Sequence, residues 1–205
     1  MKLYYSPAAC SLAVHIVARE ANIPVELIRV DISTHRLEDG TDFYSINPRG
    51  YVPVLELEDG TRITEVAALV QYIADRAPEL RLIPPAGTLA RVRVHSWLTF
   101  VSSELHKGFG PLWHKDTAES TKQNAVARLM RHFAELDVQL ARQPYLMGDT
   151  YTVADAYAFT ILNWSRMVRV DLTPFPALGA YVARIASRPR VAEALATEGL
   201  VRKAA

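Results

Sequence analysis

The chain has 205 residues, a formal net charge of +1 and a single cysteine. Half of its residues are hydrophobic, which excludes a disordered chain, and the near-zero charge gives no general attraction to nucleic acid or to an anionic membrane. One cysteine excludes an internal disulfide framework and a cysteine zinc cage, and no spacing of His, Asp and Glu indicates another metal site. No apolar run of about 18 residues occurs and the first residues lack a secretory signal, so we expect a cytoplasmic protein without a membrane span.

Residues 1–80 mix strand and helix signals. In chain order the patterns predict a strand at 3–5, a helix at 11–21, a strand at 25–30, a loop at 31–50 with a short helix near 39–45, a hairpin of strands 52–57 and 61–64, and a helix at 65–77. The helix between the first two strands requires them to pair in parallel, and the Asp59-Gly60 turn indicates an antiparallel hairpin. The prediction is an α/β domain with a mixed four-stranded sheet and helices on its faces.

Every strong periodic signal after the Pro84-Pro85-Ala86-Gly87 segment is helical, so we divide the chain into a domain at 1–80, a linker at 81–87 and an all-α domain at 88–205. The predicted helices cover 88–108 or beyond, 120–142, 153–168, 175–187 and 189–197. Pro111 either bends or ends the first of them. The third is hydrophobic nearly all round and begins at a Thr152–Asp155 capping box, which predicts the buried centre of its domain.

Cys10 stands where the first strand and turn give way to the first helix. Helix N-termini carry partial positive charge, and a thiol there has an increased thiolate fraction. Ser11 could cap the helix or donate a hydrogen bond to a bound sulfur. The alternative is a small buried residue in a tight turn. No second cysteine lies nearby, so redox chemistry at Cys10 would require an external thiol.

Two further positions in the first domain are candidates for ligand contacts. Val52-Pro53 opens the third strand, and a cis peptide bond there would turn the Val52 backbone toward a ligand, whereas the alternative is a trans proline at a strand edge. Glu65 and Val66 begin a helix, where backbone N–H groups can hold a ligand carboxylate. The alternative for Glu65 is simple stabilisation of the helix dipole.

Polar residues also follow one face of the long helix that begins the second domain. Thr99, Ser103, His106 and Gly110 are spaced four, three and four residues apart. Glu104 and Lys107 add charge beside them. This face either borders a binding cleft or is a solvated surface.

Together these segments resemble the glutathione transferase superfamily, and most closely its bacterial beta class. The resemblance covers essentially the whole chain through the order and spacing of residues 2–11 (KLYYSPAACS), 47–55 (NPRGYVPVL), 57–60 (LEDG), 64–65 (TE), 97–98 (WL), 102–107 (SSELHK), 144–149 (PYLMGD) and 152–157 (TVADAY). It implies a thioredoxin-like N-terminal domain, an all-helical C-terminal domain, a homodimer, and glutathione bound in the cleft as co-substrate without a metal.

The resemblance also implies roles for residues of the first domain. Cys10 would lie beside the glutathione sulfur, and Val52, before a cis Pro53, would pair its backbone with the cysteinyl part. Glu65 and Val66 would hold the γ-glutamyl end.

In the second domain the resemblance implies that Ser103 and Glu104 reach the γ-glutamyl end from the neighbouring subunit. His106 would approach the sulfur, and Lys107 would lie near the glycine end. The sequence departs from the beta-class pattern where His35 replaces a common Lys, Val66 a common Ser and Thr99 a common Asn. Each lost hydrogen bond costs about 0.5–1.5 kcal/mol, so we expect weaker glutathione binding than is typical.

Three functions remain open from the sequence. The leading one is a detoxifying transferase in which Cys10, Ser11 and His106 stabilise the glutathione thiolate, which attacks an electrophile. The predicted walls of the electrophile pocket, each of which could equally be core, are Phe109, Trp113, Tyr157 and Trp164. The second is thiol-disulfide exchange or reductive dehalogenation through Cys10. The third is a non-catalytic protein that binds glutathione or holds a ligand.

Overall fold

The computed structural model describes residues 1–200, which form two compact units. Unit 1 contains residues 1–82 together with 188–200, and unit 2 contains residues 83–187. The boundary after Leu82 falls inside the predicted linker. Residues 188–200 were predicted to belong to the helical domain, but they are part of unit 1. Residues 201–205 of the predicted helical domain lie outside the described residues.

Unit 1 is built on a mixed sheet whose strand order is β3-β2-β1-β4-β5. The strands are β1 (Lys2–Tyr5), β2 (Glu26–Asp31), β3 (Arg36–Leu37), β4 (Val54–Glu56) and β5 (Arg62–Thr64). β1 and β2 pair in parallel, and β4 pairs antiparallel with both β1 and β5. The parallel crossover and the hairpin are therefore confirmed.

The sheet has five strands rather than the predicted four. β3 lies in the stretch that was predicted as loop, and it pairs antiparallel with the end of β2. The Asp31 carboxylate accepts hydrogen bonds from the backbone N–H and the hydroxyl of Ser33, at 2.8 and 2.6 Å, and so turns the chain back onto β2. A two-residue strand made by such a turn has no alternating apolar pattern to reveal it.

The helices of the described chain are α1 (Ser11–Glu20), α2 (Val66–Asp75), α3 (Leu89–Phe100), α4 (Lys107–Trp113), α5 (Glu119–Leu140), α6 (Val153–Leu162), α7 (Trp164–Met167), α8 (Pro176–Ala186) and α9 (Pro189–Thr197), with 3-10 turns at Phe43–Ser45 and Pro78–Leu80. None of these helices is both long enough and apolar enough to cross a membrane.

Unit 1 buries both faces of its sheet. Tyr4 packs on one face in a core cluster with Val30, Phe43, Val52 and Val54. Because side chains alternate along a strand, the neighbouring Leu3 points to the other face, where it is fully buried. α1 contacts β1, α2 and α9.

Unit 2 is helical throughout its regular structure. All ten residues of α6 are buried, so the prediction of an all-round apolar central helix is confirmed. Its capping box forms through the Thr152 N–H, which donates to Asp155 at 2.8 Å. The predicted long helix is interrupted, because a π-helical turn at Val101–His106 separates α3 from α4, which continues past Pro111 to Trp113.

Candidate functional site

Three loops of unit 1 meet at one end of the sheet. The register pairs Tyr4 with Val54 and Val54 with Thr64, so the exit of β1, the entrance of β4 and the exit of β5 lie side by side. Cys10 follows β1, Val52-Pro53 precedes β4 and Glu65 follows β5. The predicted site residues of unit 1 are thus gathered by strand pairing, although they are far apart in sequence.

Cys10 occupies the N-cap position of α1 and is half-buried. Its thiol donates to the carbonyl oxygen of Val52 with a sulfur-to-oxygen distance of 3.3 Å. The first N–H groups of a helix have no acceptor within the helix, and they carry the positive end of its dipole. Cys10 is therefore held beside a polar, electropositive helix start rather than in the apolar core.

The Ser11 side chain is committed to the turn that precedes the helix. It is fully buried; its hydroxyl accepts from the Ser6 N–H and donates to the Ser6 carbonyl, both at 3.2 Å. Ser11 was predicted to donate a hydrogen bond to a bound sulfur. In this structure its single hydroxyl proton is donated to the Ser6 carbonyl instead. Ser11 shapes the turn that presents Cys10.

The Val52–Pro53 peptide bond is cis, and both residues are buried. The approach to this bond is fixed by Asn47, which is not among the predicted site residues. The buried Asn47 amide donates to the Tyr51 carbonyl at 2.7 Å and accepts from the Arg49 N–H at 3.2 Å. An Asn-Pro pair before a strand is the local signal that could have identified this turn.

Glu65 has a positive φ of 73° immediately before α2, which only a few per cent of non-glycine residues adopt. Its carbonyl oxygen accepts from the N–H groups of Ala68 and Leu69, each at 3.0 Å. The two preceding N–H groups, of Val66 and Ala67, have no acceptor within the helix. The Glu65 side chain is exposed and pairs only at 3.4 Å with Arg49. This helix start can accept a carboxylate, and the Glu65 side chain can meet an ammonium group.

His35 lies beside the loop that leads to Val52. Its ring packs against Tyr44 with 4.6 Å between centroids, and its Nδ1 has no hydrogen-bond partner within residues 1–200. Gly50 has a φ of 68°, and a Cβ there would lie only 2.7 Å from the Tyr44 ring. Glycine at this position therefore lets the loop close over the two rings.

The predicted residues of unit 2 fall on and around the π-helical turn. Ser103, Glu104 and His106 belong to the turn, Thr99 lies in the last turn of α3, and Lys107 begins α4. The expected single stripe required a regular α-helix, which the π-helical turn breaks. Thr99 and Ser103 are exposed, whereas His106 is half-buried. π-helical turns occur frequently at functional sites.

His106 is a neutral imidazole inside an aromatic cluster. Its Nδ1 lies 2.7 Å from the Tyr157 hydroxyl, and its ring centroid lies 4.9 Å from that of Trp164. Burial, with a smaller contribution from the Lys107 charge, lowers the pKa of His106 to about 4. His106 is therefore a hydrogen-bonding group, not a cation, at neutral pH.

The four predicted pocket residues join that cluster. Trp164 contacts Phe109 and Trp113 edge to face, with centroid distances of 5.9 and 5.4 Å. Phe109, Tyr157 and Trp164 are buried, whereas Trp113 is 41% exposed. We name His106, Phe109, Trp113, Tyr157 and Trp164 the aromatic cluster of unit 2. Its exposed edge is formed by Trp113.

Glu104 is paired within its own chain. Its carboxylate accepts from Arg128 at 2.5 Å and from the Ser103 hydroxyl at 3.2 Å. The Arg128 hydrogen bond, followed by that of Ser103, lowers the pKa of Glu104. Glu104 is thus a fixed anion on the surface of unit 2. Within residues 1–200, no group of three or more His, Cys, Asp and Glu residues is arranged to hold a metal ion.

Comparison with known proteins places these observations in a family. A family model of the glutathione S-transferase N-terminal domain matches residues 8–76, and one of the C-terminal domain matches residues 100–189. The chain is 42% identical over 200 residues to the glutathione S-transferase GstA of Escherichia coli O157:H7. The aligned region covers 98% of this chain and all of GstA.

Two solved structures have closely similar folds. A sphingomonad glutathione S-transferase complexed with glutathione has a TM-score of 0.94 at 43% identity, over 98% of this chain and 100% of that one. The bacterial beta-class glutathione S-transferase of Sphingomonas chungbukensis gives the same score, identity and coverage. The thioredoxin-like sheet and the helical unit predicted from the sequence are confirmed.

Proposed function

The chain belongs to the glutathione S-transferase family, and from that premise we propose that it conjugates the thiolate of glutathione to electrophilic, largely apolar small molecules, transferring their alkyl or aryl groups to the sulfur. The observation that carries this proposal is the convergence of Cys10, Val52-Pro53 and Glu65-Val66 at one end of the unit 1 sheet. All five residues lie in the segment matched by the N-terminal family model.

We propose that glutathione, as co-substrate, binds along this end of the sheet. The buried Val52 backbone before cis-Pro53 would pair with the cysteinyl residue of the tripeptide. The Val66 N–H at the start of α2 would bind the γ-glutamyl carboxylate, and the exposed Glu65 carboxylate would bind the adjacent ammonium group. The sulfur would then lie near Cys10 and the start of α1.

Stabilisation of the glutathione thiolate would come from groups fixed before the ligand arrives. The positive end of the α1 dipole is already oriented at this end of the sheet, and such a preorganised dipole lowers the cost of developing charge. The Cys10 thiol proton is held by the Val52 carbonyl, so Cys10 would donate to the sulfur only after releasing that contact. Ser11 would contribute through the turn, since its hydroxyl is bound to Ser6. His106 as a further donor toward the sulfur, and Lys107 and His35 toward the glycine end, remain predictions from the resemblance.

The electrophile would be bound by the aromatic cluster of unit 2. Trp113 supplies its exposed face, and the buried Phe109, Tyr157 and Trp164 hold that face in place. An aromatic surface of this kind favours apolar and planar electrophiles over charged ones.

We further propose that the enzyme is a cytoplasmic homodimer in which Ser103 and Glu104 of one subunit reach the γ-glutamyl end in the other. Exposed apolar residues of unit 2 support an interface on α3 and α5, namely Leu89 and Val92 on α3 and Val138 on α5. Ser96 and Trp97 of α3 and Leu136 of α5 line a groove of about 290 Å³ between the two helices.

The decisive experiment compares wild type with Cys10→Ala in two assays. Glutathione conjugation to a nitro-substituted aryl chloride should persist within about tenfold of the wild-type rate, because the nucleophile is the thiolate of glutathione and Cys10 contributes at most one hydrogen bond to it. The product should be the S-aryl conjugate by mass spectrometry. Absence of the conjugate with wild-type protein would overturn the proposal.

The second assay, reduction of a small disulfide by glutathione, tests thiol-disulfide exchange. The half-buried Cys10 thiol at a helix start favours this second candidate function. If Cys10 is the nucleophile, Cys10→Ala should abolish disulfide reduction while sparing conjugation. Loss of both activities in Cys10→Ala would instead indicate that Cys10 is the nucleophile in both reactions. Thiol-disulfide exchange or reductive dehalogenation would then be the main activity.

A further inference from the structure

The loop that carries Cys10 has an unusual backbone. Between β1 and α1, Ala8 has a positive φ of 62°, a backbone conformation that the Cβ of an L-residue disfavours. The Ser11 hydroxyl and the Ala9 N–H, which donates to the Ser6 carbonyl at 3.1 Å, close this loop from within. Such a conformation persists only where surrounding contacts hold it.

One of those contacts comes from the far end of the described chain. Glu198, just after α9, accepts a hydrogen bond from the Ala8 N–H at 3.1 Å. Its other carboxylate oxygen lies 2.9 Å from Nδ1 of His15 on α1. The side chains of Glu198 and His15 are 0% and 1% exposed. A fully buried carboxylate is costly unless it is hydrogen-bonded, so these two donors satisfy a strong requirement.

The contact with Arg19 fixes the tautomer of His15. The Arg19 Nε–H donates to Nε2 of His15 at 2.8 Å, and arginine can only donate. Nε2 is therefore the unprotonated nitrogen, the proton lies on Nδ1, and His15 donates it to Glu198. Each carboxylate oxygen of Glu198 therefore faces a donor, the Ala8 N–H on one side and the His15 Nδ1–H on the other. The side chain at position 198 must offer a hydrogen-bond acceptor to both of them.

The position of Glu198 is set independently of the loop. α9 is anchored to α1 by a bidentate ion pair between Arg188 and Glu20, at 2.6 and 2.9 Å, and by the buried side chains of Val191 and Ala194. The negative charge of Glu198 is also felt at the end of β1, where burial and then Glu198 raise the pKa of Tyr5.

We propose that Glu198 is a positioning residue for Cys10: through the Ala8 N–H it holds the loop that presents the thiol at the start of α1. The end of unit 1 that carries Cys10 is then completed by a residue near the other end of the described chain. This inference rests on the proposed function only where it gives Cys10 a role beside glutathione.

The test measures alkylation of Cys10, the only cysteine, by iodoacetamide in the absence of glutathione and well below the unfolding temperature. Glu198→Gln has the same shape but must place its NH2 group against either the Ala8 N–H or the His15 Nδ1–H. The loop should loosen, and alkylation should become about five- to thirtyfold faster, the equivalent of losing a hydrogen bond of one to two kcal/mol. Because no transferase activity is measured, this outcome is separate from that of the proposed function.

Glu193→Gln is the matched control. It makes the same charge change on the same helix and contacts Arg19, but it is exposed and has no contact with the loop. It should alkylate at the wild-type rate. A Glu198→Gln rate within twofold of the control, even with reduced thermal stability, would overturn the proposal, since Glu198 would then be a structural residue alone.

A rescue variant separates the hydrogen bond from the charge. In Arg19→Met/Glu198→Gln, Nε2 of His15 is released, so the proton can move there and Nδ1 can accept from the Gln NH2 group. The Gln oxygen is then available to the Ala8 N–H, although the charge is still missing. Alkylation should return to the rate of Arg19→Met. If the double variant stays as fast as Glu198→Gln, charge and not positioning is responsible, and the proposal fails.

Wild-type protein provides a test that needs no variant to fold. Amide hydrogen exchange of Ala8 should be strongly protected, because its N–H is bound to a buried carboxylate. Exchange of Ala8 at the rate of an unprotected loop amide would contradict the proposed contact.

Discussion

At the scale of single residues, the environment of His106 decides its chemistry. A histidine beside Lys107 on a polar helix face could titrate near neutral pH. Its burial against Tyr157 and Trp164 instead keeps it neutral, with a pKa lowered to about 4. Any part that His106 plays beside the sulfur is therefore that of a neutral hydrogen-bonding group.

This pKa predicts how stability depends on pH. Between about pH 4 and 6.5 the unfolded chain binds a proton at His106 that the folded chain does not, so the free energy of unfolding falls as the pH falls through this window. The difference is on the order of 3 kcal/mol. Urea denaturation of His106→Gln should show a flatter profile there, whereas the exposed His114→Gln control should follow wild type. An unchanged slope in His106→Gln would contradict the burial argument.

His35 provides a second test at this scale. Its imidazole Nδ1 has no hydrogen-bond partner within residues 1–200, and the resemblance predicts that it lies near the glycine end of glutathione, where a common beta-class residue is Lys. His35→Lys should tighten glutathione binding by about two- to tenfold, the worth of one gained hydrogen bond. Calorimetry measures this, and His114→Lys adds the same charge elsewhere. Low-micromolar affinity in the wild-type protein would remove the premise that binding is weak.

At the scale of elements, the start of α6 depends on one buried carboxylate. Asp155 accepts from the N–H groups of Leu146 and Thr152 and from the hydroxyl groups of Thr152 and Tyr181, at 2.8–3.1 Å. Burial raises its pKa, and these hydrogen bonds oppose that rise. The sequence predicted the cap to Thr152, but the Leu146 and Tyr181 contacts come from other elements.

Asp155→Ala should therefore cost more than an ordinary helix cap. Several buried donors would lose their acceptor, so we expect a loss of about 2–4 kcal/mol in the free energy of unfolding. Asp171→Ala is the control, since Asp171 is exposed and binds only the neighbouring Thr173. Denaturant titration would show its midpoint unchanged. Equal midpoints for the two variants would show that Asp155 is no more than a local cap.

The π-helical turn at Val101–His106 could not be predicted from the sequence. The spacing of apolar residues predicts a helix over this region, and a helix forms. That spacing does not show where the backbone hydrogen bonds change from the i to i+4 pattern of an α-helix to the i to i+5 pattern of a π-helix. The turn changes which residues share a face, so Thr99 and Ser103 are exposed while His106 points into the aromatic cluster of unit 2.

At the scale of the whole molecule, we expect a dimer of twice the 22.9 kDa chain mass. Val92 on α3 is 58% exposed beside the groove shared with α5, and a charge there would be desolvated in an interface. Light scattering should show that Val92→Asp shifts the equilibrium toward monomer by at least about tenfold. Met167→Asp, exposed on α7, should remain dimeric. A monomeric wild type would contradict the dimer itself.

The sequence by itself determined the order of strands β1, β2, β4 and β5 and of the main helices, the hairpin at Asp59-Gly60, and the helix starts at Ser11 and Val153. These features follow from local periodicity, turn residues and caps, which act over a few positions. The family followed from the order of short segments along the whole chain, and the comparisons confirmed it.

Only the tertiary structure decided which distant groups meet. It added β3 through the turn at Asp31, gave the Ser11 hydroxyl to Ser6, and brought Glu198 to the loop before Cys10. None of these contacts has a periodic signal, because each depends on how whole elements pack. A buried polar group must find a partner wherever packing supplies one, and in this chain the Glu198 carboxylate finds its partners in His15 and Ala8.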